Sequence, residues 1–349
     1  MKKRGAIEVQ FNWIFVLIAG AVILFFFIKV VNQQREFSDV KTSGTIITNL
    51  ESILTGAQVS TGTVNVVEVP AADISFMCDK YSIGSVLRQT KGNVIFSPNL
   101  LKGKKIIMWA KDWNVPYRVT NFLYLTDPEV RYILVGNSGG VIDKVYDELP
   151  DEMNKEKISG TAVNNKNNYK VKFIFFGTAS DSVLNNFGNT PDEDVTAISL
   201  DMESGNIIPS TGTVVFLQKN GNSWVEKGTT YYLKEEGLFG AIFAEDFEMY
   251  NCVMKKAFKK LNFVSQIYLD RSIKLRSYYG SGNCFDAYGK AITNIRDMRD
   301  KSAEDVVKDF PIGFTLNEIG VMQDYAGNIG GTPGSANNRA ALYSCVLVY

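Results

Sequence analysis

Gly136-Asn137-Ser138-Gly139-Gly140 places a hydroxyl inside a glycine-rich turn, between the strand-like run Arg131–Val135 and the amphipathic segment VIDKVYDEL. Two chemistries fit such a loop. A serine on a strand-to-helix turn can serve as a nucleophile, and backbone N–H groups at a helix N-terminus can hold an anion. The first needs a general base, and the chain contains no histidine. That absence removes Ser-His-Asp and Cys-His catalysis together with every His-ligated metal site. No lysine stands in position to replace it, so no catalytic residues and no enzyme activity are expected. The second chemistry lacks both the GxxxxGK[ST] and the GxGxxG spacing. Gly136, Asn137, Ser138, Gly139 and Gly140 therefore read as a strand-to-helix turn, and as the candidate anion-binding residues if the turn has a ligand.

Acidic residues give the other candidate site. The ends of strand-like runs carry Thr178, Asp201, Glu203, Glu245 and Asp246, and ligands of open α/β sheets bind at strand C-termini. Converging carboxylates there, Asp201 and Asp246 foremost, would suit Mg²⁺ or Ca²⁺. The same residue types also cap helices. Asp192-Glu193-Asp194 reads as a solvated loop, and no cofactor is expected.

Cys78, Cys252, Cys284 and Cys345 include no CxxC pair, which argues against a zinc ribbon or a thioredoxin-like centre. An even count suits two disulfides in an exported body, with three connectivities open. If Glu245–Tyr279 is one straight helix, Cys252 lies about 40 Å from its far end, too far for the next few residues to bring Cys284 back.

The elements that must position these groups follow from pattern. Residues 61–128 hold short β-branched and aromatic runs parted by Gly, Pro and Asn, and predict about five or six strands. Residues 129–244 alternate strand and helix signals. They include KVKFIFF, a short helix DSVLNNFG, the strand VTAISL, and a hairpin turning at Asn220-Gly221. A polar stretch, Asp151–Asn168, reads as a mobile loop, and LFGAIFA (Leu238–Ala244) as a further strand. Residues 245–349 carry a long helix with an apolar seam, a second helix about Phe285–Phe310, a shorter helix NEIGVMQDYAGN and a strand-like apolar ending, ALYSCVLVY. That ending predicts a C-terminus docked into the fold.

All of this lies beyond an apolar run, Phe11–Ile28, preceded by Lys2, Lys3 and Arg4. A hydrocarbon core of about 30 Å needs roughly 20 helical residues, and Phe11–Val31 supplies them. The preceding cations favour a cytoplasmic N-terminus and an extracellular body. The run is too long for a cleaved secretory peptide and lacks a small-x-small site. Residues 1–35 thus form a cytoplasmic stub and anchor, and residues 36–60 a helical stalk.

Lys3-Arg4-Gly5, followed by Ala6-Ile7-Glu8 and the apolar stretch, resembles the class III signal of archaeal type IV pilin-like proteins. The resemblance covers about residues 2–28. It implies processing at Arg4, Gly5 and Ala6, with a cut after Gly5 and assembly through the retained helix. Glu8 would stand third after that cut, where the family commonly has its acid at the fifth position.

Lys+Arg and Asp+Glu balance at 37 each, so nothing in the charge attracts nucleic acid. The expectation is a mixed α/β protein behind one N-terminal transmembrane helix: a β-rich layer, a Rossmann-like βαβ section and a C-terminal helical pair. Its expected role is structural or interactive in the cell envelope, at the cell membrane, with the lipid bilayer and envelope proteins as partners. Alternatives are a pilin-like subunit, or a tethered module binding a small anion or metal at the sheet's C-terminal edge.

Overall fold

The computed structural model describes residues 17–18, 20–29, 43–56, 61–69, 73–137, 139–202, 207–312 and 314–349. Residues 20–29 are helical, and Phe25, Phe26 and Phe27 on them are exposed. Among the described residues no helix is long and apolar enough to cross a membrane. The run expected to do so, Phe11–Ile28, lies partly outside the described residues, and Arg4, Gly5 and Ala6 lie wholly outside them.

Helix α1 (residues 43–56) buries Ile46, Ile47, Leu50 and Leu54, whose three-and-four spacing puts them on one face. Eight strands follow, more than the pattern predicts, because several are only two to four residues long. They are β1 (Val64–Glu68), β2 (Ile74–Phe76), β3 (Lys80–Ile83), β4 (Val86–Gln89), β5 (Val94–Phe96), β6 (Leu100–Leu101), β7 (Lys105–Asn114) and β8 (Arg118–Thr126). They make two four-stranded sheets, β1-β7-β8-β5 and β4-β3-β2-β6. The β7–β8 hairpin carries the apolar weight of this half, with Trp113 buried and its indole N–H donating to the carbonyl of Leu233 at 3.1 Å.

The third sheet contains β9 (Val130–Val135), β10 (Asn154–Ile158), β11 (Lys170–Phe176), β12 (Val195–Leu200), β13 (Thr211–Asn220) and β14 (Ser223–Leu233), in the order β10-β9-β11-β12-β13-β14. β10, β9, β11 and β12 run parallel, β13 pairs antiparallel with β12, and β14 antiparallel with β13. The partly parallel sheet expected from strand–helix alternation is present. Its β9-to-β10 crossover carries helix α2 (Val141–Glu148), while DSVLNNFG forms a 3-10 turn, Asp181–Asn186. The Asn220-Gly221 hairpin turns where expected.

Two corrections concern this half. Asp151–Asn168 is not wholly loop: Asn154–Ile158 pairs with β9 as an edge strand, a place where charged residues are tolerated. Leu238–Ala244 is not a strand but most of helix α3 (Lys234–Phe243), in which every residue from Gly237 to Phe243 is buried. A helix buried all round has no amphipathic period, and a short apolar run cannot be told from a strand by pattern.

Helix α4 (Phe247–Tyr279) is unbroken, with Asp246 as its N-cap. After it come α5 (Asn283–Lys301), α6 (Glu304–Val307), α7 (Leu316–Ile329) and α8 (Ala336–Leu342). The ending ALYSCVLVY is therefore the end of α8 and irregular chain instead of a strand. The C-terminus is nonetheless docked, with Val348 buried and Cys345 bonded to Cys284. The second disulfide joins Cys78 to Cys252 and staples the small sheet to α4. Phe96 fills the joint between sheet and helices, its ring 5.3 Å from Phe122, 5.9 Å from Tyr124 and 5.8 Å from Tyr250. A Cβ on Gly240 of α3 would sit 2.8 Å from that ring, so this close approach requires glycine.

Candidate functional site

Parallel pairing of β11 with β12 sets Phe176 beside Leu200, so both chains leave the sheet at the same edge. Gly177, at φ +110, turns the chain there, and its N–H bonds to the carbonyl of Leu200 at 3.0 Å. Beyond it opens a cleft of about 440 Å³ lined by Thr178, Asp181, Ser199, Asp201, Leu217 and Trp224, among others. Three of its polar groups are already engaged. The Asp181 carboxylate accepts the Trp224 N–H at 2.9 Å, and Ser199 Oγ donates to the carbonyl of Gly177 at 2.6 Å. The Trp224 indole N–H donates to the carbonyl of Ser180 at 3.2 Å. Asp201 is exposed and faces the cleft, available to a ligand.

The other expected residues lie elsewhere. Gly136 follows β9, and a Cβ on it would stand 3.3 Å from both Ile142 Cδ1 and Phe176 Cβ. Gly139 and Gly140 hold φ of +108 and +69, and Ser138 lies outside the described residues. None of the described residues of this loop lines the cleft. Its helix N-terminus is also answered from within the chain. Asp143 bonds to Lys157, which holds its carboxyl below the usual carboxylate value, and it accepts the backbone N–H of Gly139. An internal carboxylate thus meets the helix dipole that an external anion would use.

Asp246 is at the far end of the sheet. Its carboxylate caps α4, accepting the Met249 N–H at 2.8 Å. Next to it, Glu245 takes the ammonium of Lys170, the first residue of β11, at 2.6 Å and the N–H of Asn99 at 3.0 Å. Asp201 instead follows the last residue of β12, so about 20 Å of strand separates the two candidate carboxylates. One cation cannot bridge them, so the structure does not bring Asp201 and Asp246 together. Glu203 lies outside the described residues. Among the described residues three metal-binding side chains converge only at Cys78, Asp79 and Cys252, where the two sulfurs are bonded to each other.

The closed end of the sheet holds buried polar groups that the sequence pattern conceals. Lys172 Nζ donates to the carbonyl of Ala244 and lies 5.4 Å from the centre of the Phe216 ring. Burial pushes this ammonium down to about 8, against the pull of Glu245 and Asp246. The space beside it, bounded by Tyr132, Lys170, Phe243 and Glu245, is about 10 Å³, room for about one water. Nearby, buried Asp127 accepts the N–H groups of Lys102, Glu129 and Val130 at 3.0, 2.8 and 3.0 Å, and the hydroxyl of Tyr169 at 2.5 Å. Burial, then the Asp127 contact, raises the Tyr169 hydroxyl far above its usual value. Lys170, Lys172, Glu245, Asp127 and Tyr169 each have a protein partner, so these groups tie the start of β11 to the end of α3 and to the neighbouring loops.

No protein-family model matches this chain, and neither a curated protein nor a solved structure does.

Proposed function

We propose that the chain is a single-pass, membrane-anchored protein whose α/β body stands outside the cytoplasm as a structural or interaction component of the cell envelope. The observation that carries this reading is the cysteine chemistry: all four form disulfides, Cys78–Cys252 and Cys284–Cys345, and no free thiol remains. Disulfides persist in oxidising compartments and are rare in the cytosol. The apolar run Phe11–Ile28 behind Lys2, Lys3 and Arg4 supports an anchor with its N-terminus inside. The exposed apolar side chains of residues 20–29 and the docking of α1 on the body support an anchor joined to a folded head.

The Lys3-Arg4-Gly5 motif supports a second reading within the same class, a pilin-like subunit cut after Gly5 and assembled through its helix. Intact mass and N-terminal sequence of the chain recovered from alkali-washed membranes test both. The anchored protein starts at Met1 or Lys2 and weighs four hydrogens less than the reduced chain. A start at Ala6 selects the pilin-like reading. Recovery as a reduced chain in the soluble fraction defeats both.

A further inference from the structure

Across the Cys78–Cys252 staple, the segment following β4 faces the middle of α4 over a cleft of about 560 Å³. Ammonium groups dominate its lining. Lys91 comes from the β4 side, and Lys256, Lys259 and Lys260 come from α4, with the ring of Phe263, which is 66% exposed; the single carboxylate in the lining, Asp79, is paired with Lys256. Spacings of three and four set residues 256, 259, 260 and 263 along one side of the helix. The disulfide fixes the two walls, since Cys252 precedes Lys256 by one helical turn and Cys78 adjoins Asp79.

Three of these lysines have acidic partners. Lys91 pairs with Glu51 of α1, Lys256 with Asp79 at 2.9 Å, and Lys259 with Glu304 at 3.1 Å. Lys256 also donates to the carbonyl of Cys78 and, at 3.1 Å, to Thr90 Oγ1, so its head is held in place. Lys260 differs. It is half-buried, its one hydrogen bond goes to the neutral Thr120 Oγ1 at 3.2 Å, and among the described residues no carboxylate pairs with it. Burial and the neighbouring Lys256 both hold its ammonium below the usual lysine value. A cation kept charged at that cost, beside other cations and open to a cleft, is relieved by an incoming anion.

We propose that this cleft binds a small phosphate or sulfate ester, its charged group among Lys256, Lys259 and Lys260 and its apolar part against Phe263. The proposal is independent of the membrane anchor and concerns a different place from the sheet edge. The cleft is of ordinary small-ligand size, and its lysines are point charges that suit a tetrahedral oxyanion from several directions.

The test is calorimetric titration of the full chain, held in zwitterionic detergent at about 50 mM salt to limit screening. The probes are phenyl phosphate, phenyl sulfate and inorganic phosphate. Phenyl phosphate or phenyl sulfate is expected to bind saturably and more tightly than inorganic phosphate, and the tighter of the two identifies the ester. Lys260→Gln weakens the favoured ester about tenfold, the usual weight of one hydrogen bond to a charged group. Phe263→Ser abolishes the advantage over inorganic phosphate. Lys144→Gln, on an exposed position of α2, changes nothing. If Lys260→Gln does not fold, Lys259→Gln, at an exposed position, gives the same reading. Absence of saturable heat at millimolar ester would overturn the proposal. So would an equal loss from Lys144→Gln, which would make the attraction a property of the whole surface.

Discussion

The two ends of the six-stranded sheet present the same residue types in opposite conditions. At the closed end, Glu245 and Lys170 pair with side chains only 8% exposed each, and Lys172 is buried against a carbonyl. At the open end, Asp201 is exposed beside a cleft and Asp181 holds a backbone N–H. Charge at a strand end is thus not by itself a sign of chemistry. Whether the group is enclosed and partnered decides if it fixes the fold or remains open to a ligand. The expected pairing of Asp201 with Asp246 combined one residue from each end, and the length of the strands keeps them apart.

The largest difference between the ends should appear on truncation. Glu245→Ala leaves Lys170 buried without its counter-charge and should cost about 3–5 kcal/mol in chemical denaturation. Asp201→Ala should stay within about 0.5 kcal/mol, as for a surface substitution. Equal costs would erase the distinction.

Lys172 sharpens it through pH. Its folded value, about 8, lies below its ordinary 10.5, so between these values the unfolded chain binds more protons than the folded one. Stability therefore rises with pH from about 8 toward 10, by about 2–3 kcal/mol. Above that, ionisation of unfolded tyrosines works in the opposite direction, because folded Tyr117 and Tyr132 are held protonated by burial. Lys172→Met should flatten the rise and stabilise the protein at neutral pH, as replacing a buried charge with an apolar side chain often does. A rise that survives in Lys172→Met would place the titrating group elsewhere.

A smaller effect is expected at Asp246. Asp246→Ala removes the cap of α4 and should cost about 1 kcal/mol, without altering any response to divalent cations. Smallest is the response of the open end itself: millimolar Mg²⁺ or Ca²⁺ should leave the melting temperature of the native protein and of Asp201→Asn alike. A cation-dependent rise lost in Asp201→Asn would show that the open edge holds a metal after all.

The long helix was legible because Met254, Phe258, Leu261 and other apolar residues recur at helical spacing behind an acidic start. The β13–β14 turn was legible because Asn220-Gly221 favours the tight hairpin geometry. Helix α3 was not, and its misreading misplaced the candidate site. Treating Leu238–Ala244 as a strand puts Glu245 and Asp246 at a C-terminal sheet edge, whereas the helix returns them to the start of β11. The closed-end lysines were hidden because Lys170 and Lys172 alternate with apolar residues as an exposed strand face does, yet both are buried. Two disulfides followed from the even cysteine count. Their pairing did not, because it depends on α4 being unbroken and on what packs against each end of it.

Compartment is the most direct test of the whole account. Intact cells would be treated with a membrane-impermeant maleimide, with and without a membrane-impermeant reductant, and the cysteines of the recovered chain mapped by mass. No labelling is expected without reductant, and labelling of Cys78, Cys252, Cys284 and Cys345 with it. Thiols that stay unlabelled in both conditions but react after lysis would place the body in the cytoplasm and contradict that expectation.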